Sequence, residues 1–563
     1  MPLLMSLPES VKSTTPQQAD GASNLQRSQA TDYVTLAGIK FFPKCQRRHI
    51  FHVCAFLRKR EKEEINLNGF FAGLVDSITE INGAVNSFVW GIPMLVLLVG
   101  TGILMTVLTK FFQLSHIGHW FKNTIGGIFS DRHITKHTDK EDKSISQFQS
   151  LCTALAATIG TGNIVGVASA LISGGPGAIF WMWIVAFFGM MTNYSENVLG
   201  IYYRRKNERD EWCGGAMYYL KDGLGSYKGC KQIGAVLAVL FSIFCLLASF
   251  GIGNMSQVNS ISANMEAAFS IPAAATGVGL MIVAALVIVG GLKRIASVTE
   301  KLVPFMAIAY IIGALAIFFA NIDQCGAIFS AIFKGAFGLK AVGGGIVGSG
   351  VKMALTWGMK RGVFSNEAGL GSSVMVHSNS NVKEPVRQGM WGIFEVCADT
   401  MIVCTLTAFS VLSSGLVDLE TGAVLSEASG SALVGEAFAT IFGSFGPMFI
   451  AVAILLFAFS TVLGWSHYGS KAWEYLFGTK STIAYKIVFI LMIFIGATMN
   501  LSLAWDLSDT FNGLMAMPNL IGVLCLSPLV VKITRNYVDR VIRKEDVEPI
   551  LSVFPEINAE HAE

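Results

Sequence analysis

Two stretches of the sequence place glycines beside hydroxyl and amide side chains within otherwise apolar surroundings. One contains Gly160-Thr-Gly-Asn163, and the other contains Phe364-Ser-Asn-Glu-Ala-Gly369. Glycine allows a helix to unwind, which frees N–H groups that suit a carboxylate and carbonyls that suit a small cation. The pattern therefore predicts binding of a zwitterion together with a cation. The alternative for Gly160 and Gly162 is close helix packing, which leaves Asn163 in need of a polar partner. For the second stretch the alternative is that its charges lie near the ends of the segment.

A third stretch carries two adjacent hydroxyls. One helix face would hold Phe457, Ser460, Thr461 and Gly464. Both hydroxyls and a carbonyl one turn earlier can then point at one spot, and such oxygen ligands suit sodium, a hard cation. The alternative is that the hydroxyls bond to the backbone of their own helix. Trp465 follows Thr461 by one turn, where its ring either anchors the helix at the membrane interface or closes a small pocket.

Gln257 lies in a polar run, residues 251–259, that directly follows an apolar segment. Its uncharged amide can hydrogen-bond the amino or carboxylate group of a small ligand. The alternative is a capped helix end at the start of a loop. The local sequence leaves both interpretations open.

Several ionisable residues interrupt the apolar sequence. A bare charge at the centre of a membrane costs roughly 2.5–3.5 kcal/mol on the most lenient insertion scale. We therefore expect Lys360, Arg361 and Glu367 to pair or to face water. Four further acids are either structural partners or candidate relays for a proton or cation: Glu196, Glu300, Glu395 and Asp399. Within the apolar segments no nucleophile-base arrangement or metal-ligand spacing is present, so we predict neither an enzyme nor a cofactor.

The composition shows what must position these residues. Of 563 residues, 52% are hydrophobic and only 14% are charged, and the mean hydropathy is +0.55. Such a chain needs lipid as its solvent. The net charge of +3 is too small to suggest a nucleic-acid partner. The ten cysteines lack the short paired spacings of a zinc site or a disulfide framework, and we interpret them as small buried apolar residues.

Apolar segments long enough to cross a bilayer recur along the chain. The segment 346–376 is only moderately apolar, but loop charge indicates that it crosses. If this segment crosses, the basic loops and the basic tail lie on one side of the membrane. The acidic loops 414–442 and 501–509 then lie on the other side. This assignment puts the C-terminus in the cytoplasm and the N-terminus outside. The eleven segments are 88–110, 149–172, 177–203, 232–253, 274–292, 296–320, 346–376, 389–413, 445–472, 481–500 and 508–531.

Residues 1–65 differ from the rest, being polar at first and then basic. We expect them to form a disordered N-terminal extension outside the folded protein, which an over-extended start of translation would explain. The transmembrane domain is predicted over 66–545. It comprises an extra helix at 88–110, a first five-helix repeat at 149–320 and a second at 346–531, and a cytoplasmic tail follows at 546–563.

The two glycine-interrupted segments occupy matching places. With the first segment set aside, the other ten form two halves of five, and each half opens with its interrupted segment. Because five is odd, the halves have opposite orientations. Paired broken helices in an inverted repeat mark the substrate site of secondary transporters. We therefore predict an all-α integral membrane transporter of about eleven helices with a 5+5 inverted repeat; a channel, or a receptor that binds without cycling, is the alternative.

Four motifs resemble those of the alanine or glycine:cation symporters, the sodium:alanine symporter family. They are Gly160-Thr-Gly-Asn163, Gly175-Pro-Gly-Ala-Ile-Phe-Trp-Met-Trp183, Arg361-Gly-Val-Phe-Ser-Asn-Glu-Ala-Gly369 and Ser460-Thr-Val-Leu-Gly-Trp465. The resemblance implies a leucine-transporter-like fold. It also implies sodium-coupled symport of a small neutral amino acid into the cell, by alternating access, across the plasma membrane (bacterial inner membrane). One departure is Asn193, which stands where family members often carry lysine.

The resemblance further implies the site residues. Those expected at the substrate are Thr161, Gly162, Asn163, Gln257, Phe364, Thr461 and Trp465. Sodium would bind carbonyls near Gly160 together with Ser460 and Thr461. The expected partners are the amino acid, the co-transported sodium ion and membrane lipid. A proton-coupled or exchange transporter of the same fold, with Glu196 or Glu300 as relay, is the alternative.

Overall fold

The computed structural model describes residues 76–138, 142–338, 346–499 and 502–562. The predicted disordered extension, residues 1–65, lies outside the described residues. The described residues are predominantly helical, because backbone in lipid must satisfy its own hydrogen bonds. The longer helices are α1 (Ile92–Leu108), α2 (Gln147–Thr158), α3 (Val165–Gly174), α4 (Gly177–Tyr202), α5 (Lys231–Phe250), α6 (Ser256–Phe269), α7 (Ala273–Ile288), α8 (Gly291–Ala320), α9 (Cys325–Phe337), α10 (Ile346–Asn366), α11 (Pro385–Val396), α12 (Thr405–Leu412), α13 (Ser431–Phe442), α14 (Phe445–Phe477), α15 (Thr482–Thr498), α16 (Ser502–Cys525) and α17 (Ser527–Tyr537).

Shorter elements connect these helices. Helical turns cover Phe112–Ser115, Ile117–Asn123, Ile125–Ser130 and Arg132–Thr135 between α1 and α2. Two short antiparallel strands, β1 (Arg205–Lys206) and β2 (Trp212–Cys213), follow α4. Stretches of π-helix lie at Tyr219–Gly223, Gly251–Met255, Cys397–Cys404 and Val538–Ile542. The chain closes with the helix Pro555–Ala562.

The protein is an all-α integral membrane protein. By length and apolar composition, seven helices of the described residues can cross a membrane, or nine if each of two bent pairs is one span. The bent pairs are 147–174 and 505–542, with bends of 58° and 59°. Each of the eleven predicted segments coincides with a helix or a helix pair. The crossings of α7, which has 16 residues, and of the charge-bearing α10 stay predictions, as does the inverted repeat.

The structure corrects the sequence prediction at three places. The predicted loop 414–442 contains α13, a helix whose apolar face packs on α14. The predicted loop 501–509 largely belongs to α16. The polar run after Gly251 is not a helix end, because the π-helical turn Gly251–Met255 joins α5 to α6 in one 39-residue helix. In the first two cases the acidic residues belong to a helix, so their charge did not indicate a loop.

Large apolar side chains cover the outside of several helices. Ile282 on α7, Ile308 on α8 and Leu491 on α15 are each more than half exposed. Apolar surface of this kind on the middle of long helices suits contact with acyl chains. Inside, α4 packs against α10 and α11, and α14 packs against α2, α5 and α6. These contacts bring α14 beside the bend between α2 and α3.

The segments at one end of the two glycine-interrupted regions are tied together. Before α2, the Ile145 N–H donates to the Asn379 carbonyl at 3.0 Å, and the Asn379 segment returns a bond through the Asn381 N–H to the Ile145 carbonyl at 2.9 Å. Arg204, which is buried, donates to the carbonyls of Ser380 and Val382 at 2.5 and 2.6 Å. The chain that enters α2 and the chain that leaves the second interrupted region are therefore linked through backbone groups.

Candidate functional site

The first interrupted region lies between α2 and α3. Helix α2 ends at Thr158, and a single 3₁₀ turn, Thr161–Asn163, precedes α3. The side chain of Asn163 holds this turn, because its Oδ1 accepts the Gly160 N–H at 2.9 Å. A methyl group on Gly160 would collide with the Thr461 hydroxyl oxygen. Glycine is therefore required here for close approach to α14.

The second interrupted region follows α10. The helix ends at Asn366, and regular helix resumes only in the short turn Val374–His377. Between them Glu367, Gly369 and Gly371 have φ angles of +57°, +92° and +72°. Left-handed conformations are accessible to glycine and cost a residue such as glutamate about 1 kcal/mol or more. The chain thus unwinds at the predicted place.

The two interrupted regions lie against each other. A methyl group on Gly162 would stand 3.3 Å from Cδ1 of Phe364 and 3.2 Å from Cα of Ser365. Asn163 reaches the end of the π-helical stretch Cys397–Cys404, where its Nδ2 lies 3.4 Å from Sγ of Cys404. The same Sγ lies 3.3 Å from Oγ of Ser365. The sequence expectation that the glycine-rich stretches meet is in agreement with this arrangement.

Two hydroxyls of α14 converge with two carbonyls. Ser460 Oγ lies 3.3 Å and Thr461 Oγ1 lies 3.1 Å from the carbonyl oxygen of Ala156 on α2. The same hydroxyls lie 2.8 and 3.1 Å from the Phe457 carbonyl of their own helix. The bonds expected within α14 therefore form, and the contacts to α2 form as well. A hydroxyl that donates its proton keeps lone pairs for a cation, so these four oxygens can act as ligands.

Gln257 joins α6 to the first interrupted region. Its Oε1 accepts the N–H of Thr161 at 3.2 Å, and its Nε2 donates to the Ile252 carbonyl at 2.9 Å. That carbonyl lies in the π-helical turn Gly251–Met255 just before Gln257, and it also accepts the Ser256 hydroxyl at 3.1 Å. Of the two interpretations left open, the structure excludes the helix end and places the amide at the unwound turn.

Aromatic rings border the same region. The Trp465 indole Nε1–H donates to Oε1 of Glu367 at 2.8 Å, and its ring covers Gly253 so closely that a side chain there would overlap it. The Phe364 ring lies beside Gly162 and stacks on Trp505 with 6.3 Å between ring centroids. The bond from Trp465 to Glu367 favours the pocket interpretation over an interfacial anchor.

The predicted site residues are all buried, including Asn163, Gln257, Phe364 and Trp465. Thr161 is fully buried, and within the described residues its hydroxyl has no hydrogen-bond partner. An unpartnered buried hydroxyl is costly, so a ligand group that accepts or donates there would be stabilised. The site is closed to solvent in this conformation, and a ligand would need an opening to reach it.

The sequence did not assign Asp399 to the site. Its Oδ1 accepts the Asn163 Nδ2–H at 2.6 Å, and its Oδ2 accepts the Thr400 hydroxyl at 2.8 Å. Asp399 lies in the π-helical stretch Cys397–Cys404, which turns this carboxylate toward the first interrupted region. The sequence shows that Asp399 is an acid within an apolar helix, which indicates a buried polar partner. It does not show that this partner is Asn163.

The remaining charges find partners, as expected. Lys360 Nζ lies 2.7 Å from one carboxylate oxygen of Asp509, and Arg361 Nη1 lies 3.7 Å from the other. Of the candidate relays, Glu300 pairs with His137 at 2.9 Å. Glu196 accepts a bond from Asn519 Nδ2 at 2.5 Å.

The buried acid Glu395 lies close to Asn193. Its Oε2 lies 2.9 Å from Nε2 of His377 and 3.4 Å from Nδ2 of Asn193. Asn193, the departure from the resembled family, thus contacts Glu395 rather than Glu196. Among the described residues no three His, Cys, Asp or Glu side chains form a metal cluster.

Known proteins resemble this chain over most of its length. A sequence model of the Sodium:alanine symporter family matches residues 75–551. The sodium/alanine symporter AgcS of Methanococcus maripaludis is 44% identical over 481 residues, which cover 84% of this chain and 100% of that protein. The probable sodium/glutamine symporter GlnT of Bacillus subtilis is 36% identical over 462 residues, which cover 82% and 91%. The structure of MhsT with L-phenylalanine gives a TM-score of 0.44 at 14% identity over 70% of this chain and 99% of that chain.

Proposed function

The chain belongs to the sodium:alanine symporter family, and we propose that it couples the entry of a small neutral amino acid, of alanine or glycine type, to the entry of sodium. As a family member it is a multi-pass membrane transporter and not an enzyme. The observation that carries the proposal is the meeting of the two interrupted regions beside the paired hydroxyls of α14. That meeting supplies carbonyls, N–H groups and hydroxyls within one buried region.

Sodium would bind where α2 and α14 touch. The carbonyl of Ala156 and the hydroxyls of Ser460 and Thr461 would be ligands, with the carbonyl of Phe457 on the same side. All four are neutral oxygens, the ligands a hard cation prefers. A bound cation here would hold the bend of α2 against α14 and thereby shape the adjoining turn at Thr161.

The amino acid would bind at that turn. The free hydroxyl of Thr161, the side chain of Asn163 and the N-terminus of α3 are suited to its carboxylate. The Gln257 oxygen can accept from its ammonium group. Phe364 and Trp465 would limit the size of its side chain. One added methylene changes discrimination by only about 1–3 kcal/mol, so these rings favour a small substrate without fixing which one.

Transport would proceed by alternating access. The site residues are buried, so opening toward one side and then the other must expose them in turn. The loop charges favour an orientation with the C-terminus in the cytoplasm, in a plasma membrane such as a bacterial inner membrane. Sodium moving inward then gains about 2.3 kcal/mol per 100 mV of membrane potential, besides its concentration gradient.

A proton-coupled or exchange mechanism is the second candidate. The observation that favours it is the second carboxylate oxygen of buried Glu196, which has no hydrogen-bond partner within the described residues. A protonated carboxyl would tolerate that environment better than a charged one. Glu300, the other candidate relay, is already engaged by His137.

Uptake into proteoliposomes tests the proposal. We expect radiolabelled alanine or glycine to accumulate with an inward sodium gradient and not with choline in its place or with a pH gradient alone. Thr461→Ala should abolish most of the sodium-dependent uptake. The matched control Thr498→Ala removes an exposed hydroxyl that bonds only to its own helix, and uptake should be unchanged. Accumulation driven equally by pH would reject sodium coupling and favour the second candidate.

A further inference from the structure

A cavity of about 270 Å³ lies at the end of α14 opposite to its first residue. Loops before α2, after β1, between α7 and α8, and between α14 and α15 contribute to its wall. The charged residues that line it are Lys143, Arg209, Glu211, Lys293, Lys471, Glu474 and Lys486. Five cationic side chains thus face two acids. We call this space the basic cavity.

The two acids of the basic cavity do not pair with Lys143 or with Arg209. Lys471 pairs with Glu474, with Nζ 3.0 Å from Oε2. Lys143 and Arg209 instead donate to carbonyl oxygens, those of Arg209 and Thr479, at 3.1 and 3.2 Å. Within the described residues neither has a carboxylate within ion-pair distance. Carbonyl partners orient Lys143 and Arg209 without cancelling their charge, so these two cations keep their positive charge in the cavity.

A buried imidazole also faces the basic cavity. His467 on α14 is only 5% exposed and lines the wall, and its Nε2 has no hydrogen-bond partner within the described residues. Hydroxyl and amide groups of Ser470 and Asn379 lie in the same wall. Lysines at helix ends are expected of any membrane protein on its cytoplasmic face. That topology rule does not explain a cavity lined by five cations and by a buried imidazole whose Nε2 lacks a partner among the described residues.

We propose that the basic cavity binds a phosphate-bearing anion, either a free phosphate compound or the headgroup of an anionic lipid. Lysine supplies point charges and arginine a planar fork of donors, and phosphate oxygens accept from both. A hydrogen phosphate can either donate to or accept from Nε2 of His467, and it can bond to the neighbouring hydroxyls. Ile288, Leu292 and Ile295 also line the cavity, but its cations would contact the headgroup or the free anion.

Anion binding would favour the conformation described. Lys143 stands three residues before Ser146, the residue that caps α2. Arg209 and Lys486 belong to two other parts of the wall. An anion that contacts all three would hold the start of α2 near α14 and α15, and any ligand that binds only this conformation raises its stability. This inference concerns a second ligand and does not depend on which amino acid is transported.

Thermal unfolding of the purified full chain in an uncharged detergent tests the proposal. At constant ionic strength, millimolar sodium phosphate in place of sodium chloride should raise the unfolding temperature with a saturating dose dependence. The double variant Arg209→Gln/Lys486→Gln should lose that rise. The matched control Lys228→Gln/Lys231→Gln removes two exposed cations outside the cavity and should keep it. If Arg209→Gln impairs folding, Lys486→Gln alone can be used. That single variant should reduce the rise in unfolding temperature and not remove it entirely.

Non-denaturing mass spectrometry distinguishes the source of the phosphate. If a lipid headgroup is the ligand, the wild type and the control should retain phosphatidylglycerol more than phosphatidylcholine, and the cavity variant should lose this preference. If free phosphate is the ligand, only the thermal shift should appear. An equal thermal shift in the cavity variant and the control, or no response in either experiment, overturns the proposal. Neither readout measures uptake, so failure of the transport hypothesis would be seen separately.

Discussion

The carboxylate of Asp399 accepts a hydrogen bond from the side-chain amide of Asn163 at 2.6 Å, while the other end of that amide accepts the Gly160 N–H at 2.9 Å. One buried acid on the π-helical stretch thereby fixes which way the Asn163 side chain points. The shape of the unwound turn between α2 and α3 depends on that orientation. Asp399 is thus a positioning residue for the proposed substrate site.

Two replacements of Asp399 should show whether its hydrogen bond to Asn163 stabilises the site. In Asp399→Ala the Asn163 amide loses a buried partner, which costs about 1–3 kcal/mol. We expect a lower unfolding temperature and a severalfold loss of alanine uptake. Asp399→Asn keeps an acceptor for Asn163, and Thr400 can accept as well as donate, so that variant should recover most of the stability. Equal behaviour of both variants would contradict the assigned contact.

Gly160→Ala should damage the site because of space and not because of helix propensity. The added methyl would collide with the Thr461 hydroxyl and lie 3.2 Å from Oε1 of Gln257. Overpacking of this kind costs roughly 1–3 kcal/mol. If that cost falls on sodium binding, the sodium concentration needed for half-maximal uptake should rise about five- to hundredfold. The matched control is Gly100→Ala on α1, where no atom would lie within 4 Å of the new methyl, and its sodium dependence should be unchanged.

Removal of the charge on Asp509 should destabilise the protein more than removal of its partner. Asp509→Asn leaves Lys360 and Arg361, whose side chains are each 13% exposed, without their shared carboxylate. Breaking a fully buried pair typically costs about 3–5 kcal/mol, which is an upper bound for this partly exposed one. Lys360→Met leaves Arg361 to balance Asp509. Unfolding temperatures measured in detergent should therefore fall further for Asp509→Asn. The reverse order would mean that Asp509 is not balanced by both cations.

Trp465→Phe tests the aromatic border of the site. Phenylalanine can still cover Gly253 but cannot donate to Glu367, whose contact with the indole is 2.8 Å long. We expect near-normal folding and a severalfold lower uptake rate, because Glu367 loses a bond at the end of the unwound region. Trp465→Ala should lose both the cover over Gly253 and the hydrogen bond to Glu367. A normal uptake rate for Trp465→Phe would show that the ring, and not its N–H, matters.

Local patterns in the sequence predicted much of the candidate site. The spacing of Ser460 and Thr461 after Phe457 placed both hydroxyls and one carbonyl together, as the structure has them. The glycines at 160 and 162 predicted the unwound turn. Gly464, on the same helix face, packs on Ala157, where a methyl group would lie 2.7 Å from its Cβ. Gly464 therefore serves close packing of α14 on α2.

Other features depend on contacts that no local pattern encodes. The bond from Asn163 to Asp399 spans 236 positions of the chain, and a single sequence does not reveal such a pair. The π-helical turn at Gly251–Met255 keeps a polar run inside a helix, where composition alone suggests an end. Helix α13 lies in a segment that is predicted to be a loop because it contains acidic residues and no lysine or arginine. Tertiary packing decided each of these cases.

The paired backbone bonds of Ile145 with Asn379 and Asn381 act as a crossbar between the two discontinuous helices. Tilting the entry to α2 alone would break both bonds, at about 0.5–1.5 kcal/mol each. Movement of the two together leaves them intact. Because of these two bonds, movement of both segments together costs less free energy than movement of one alone. A displacement of one interrupted region would therefore favour a displacement of the other.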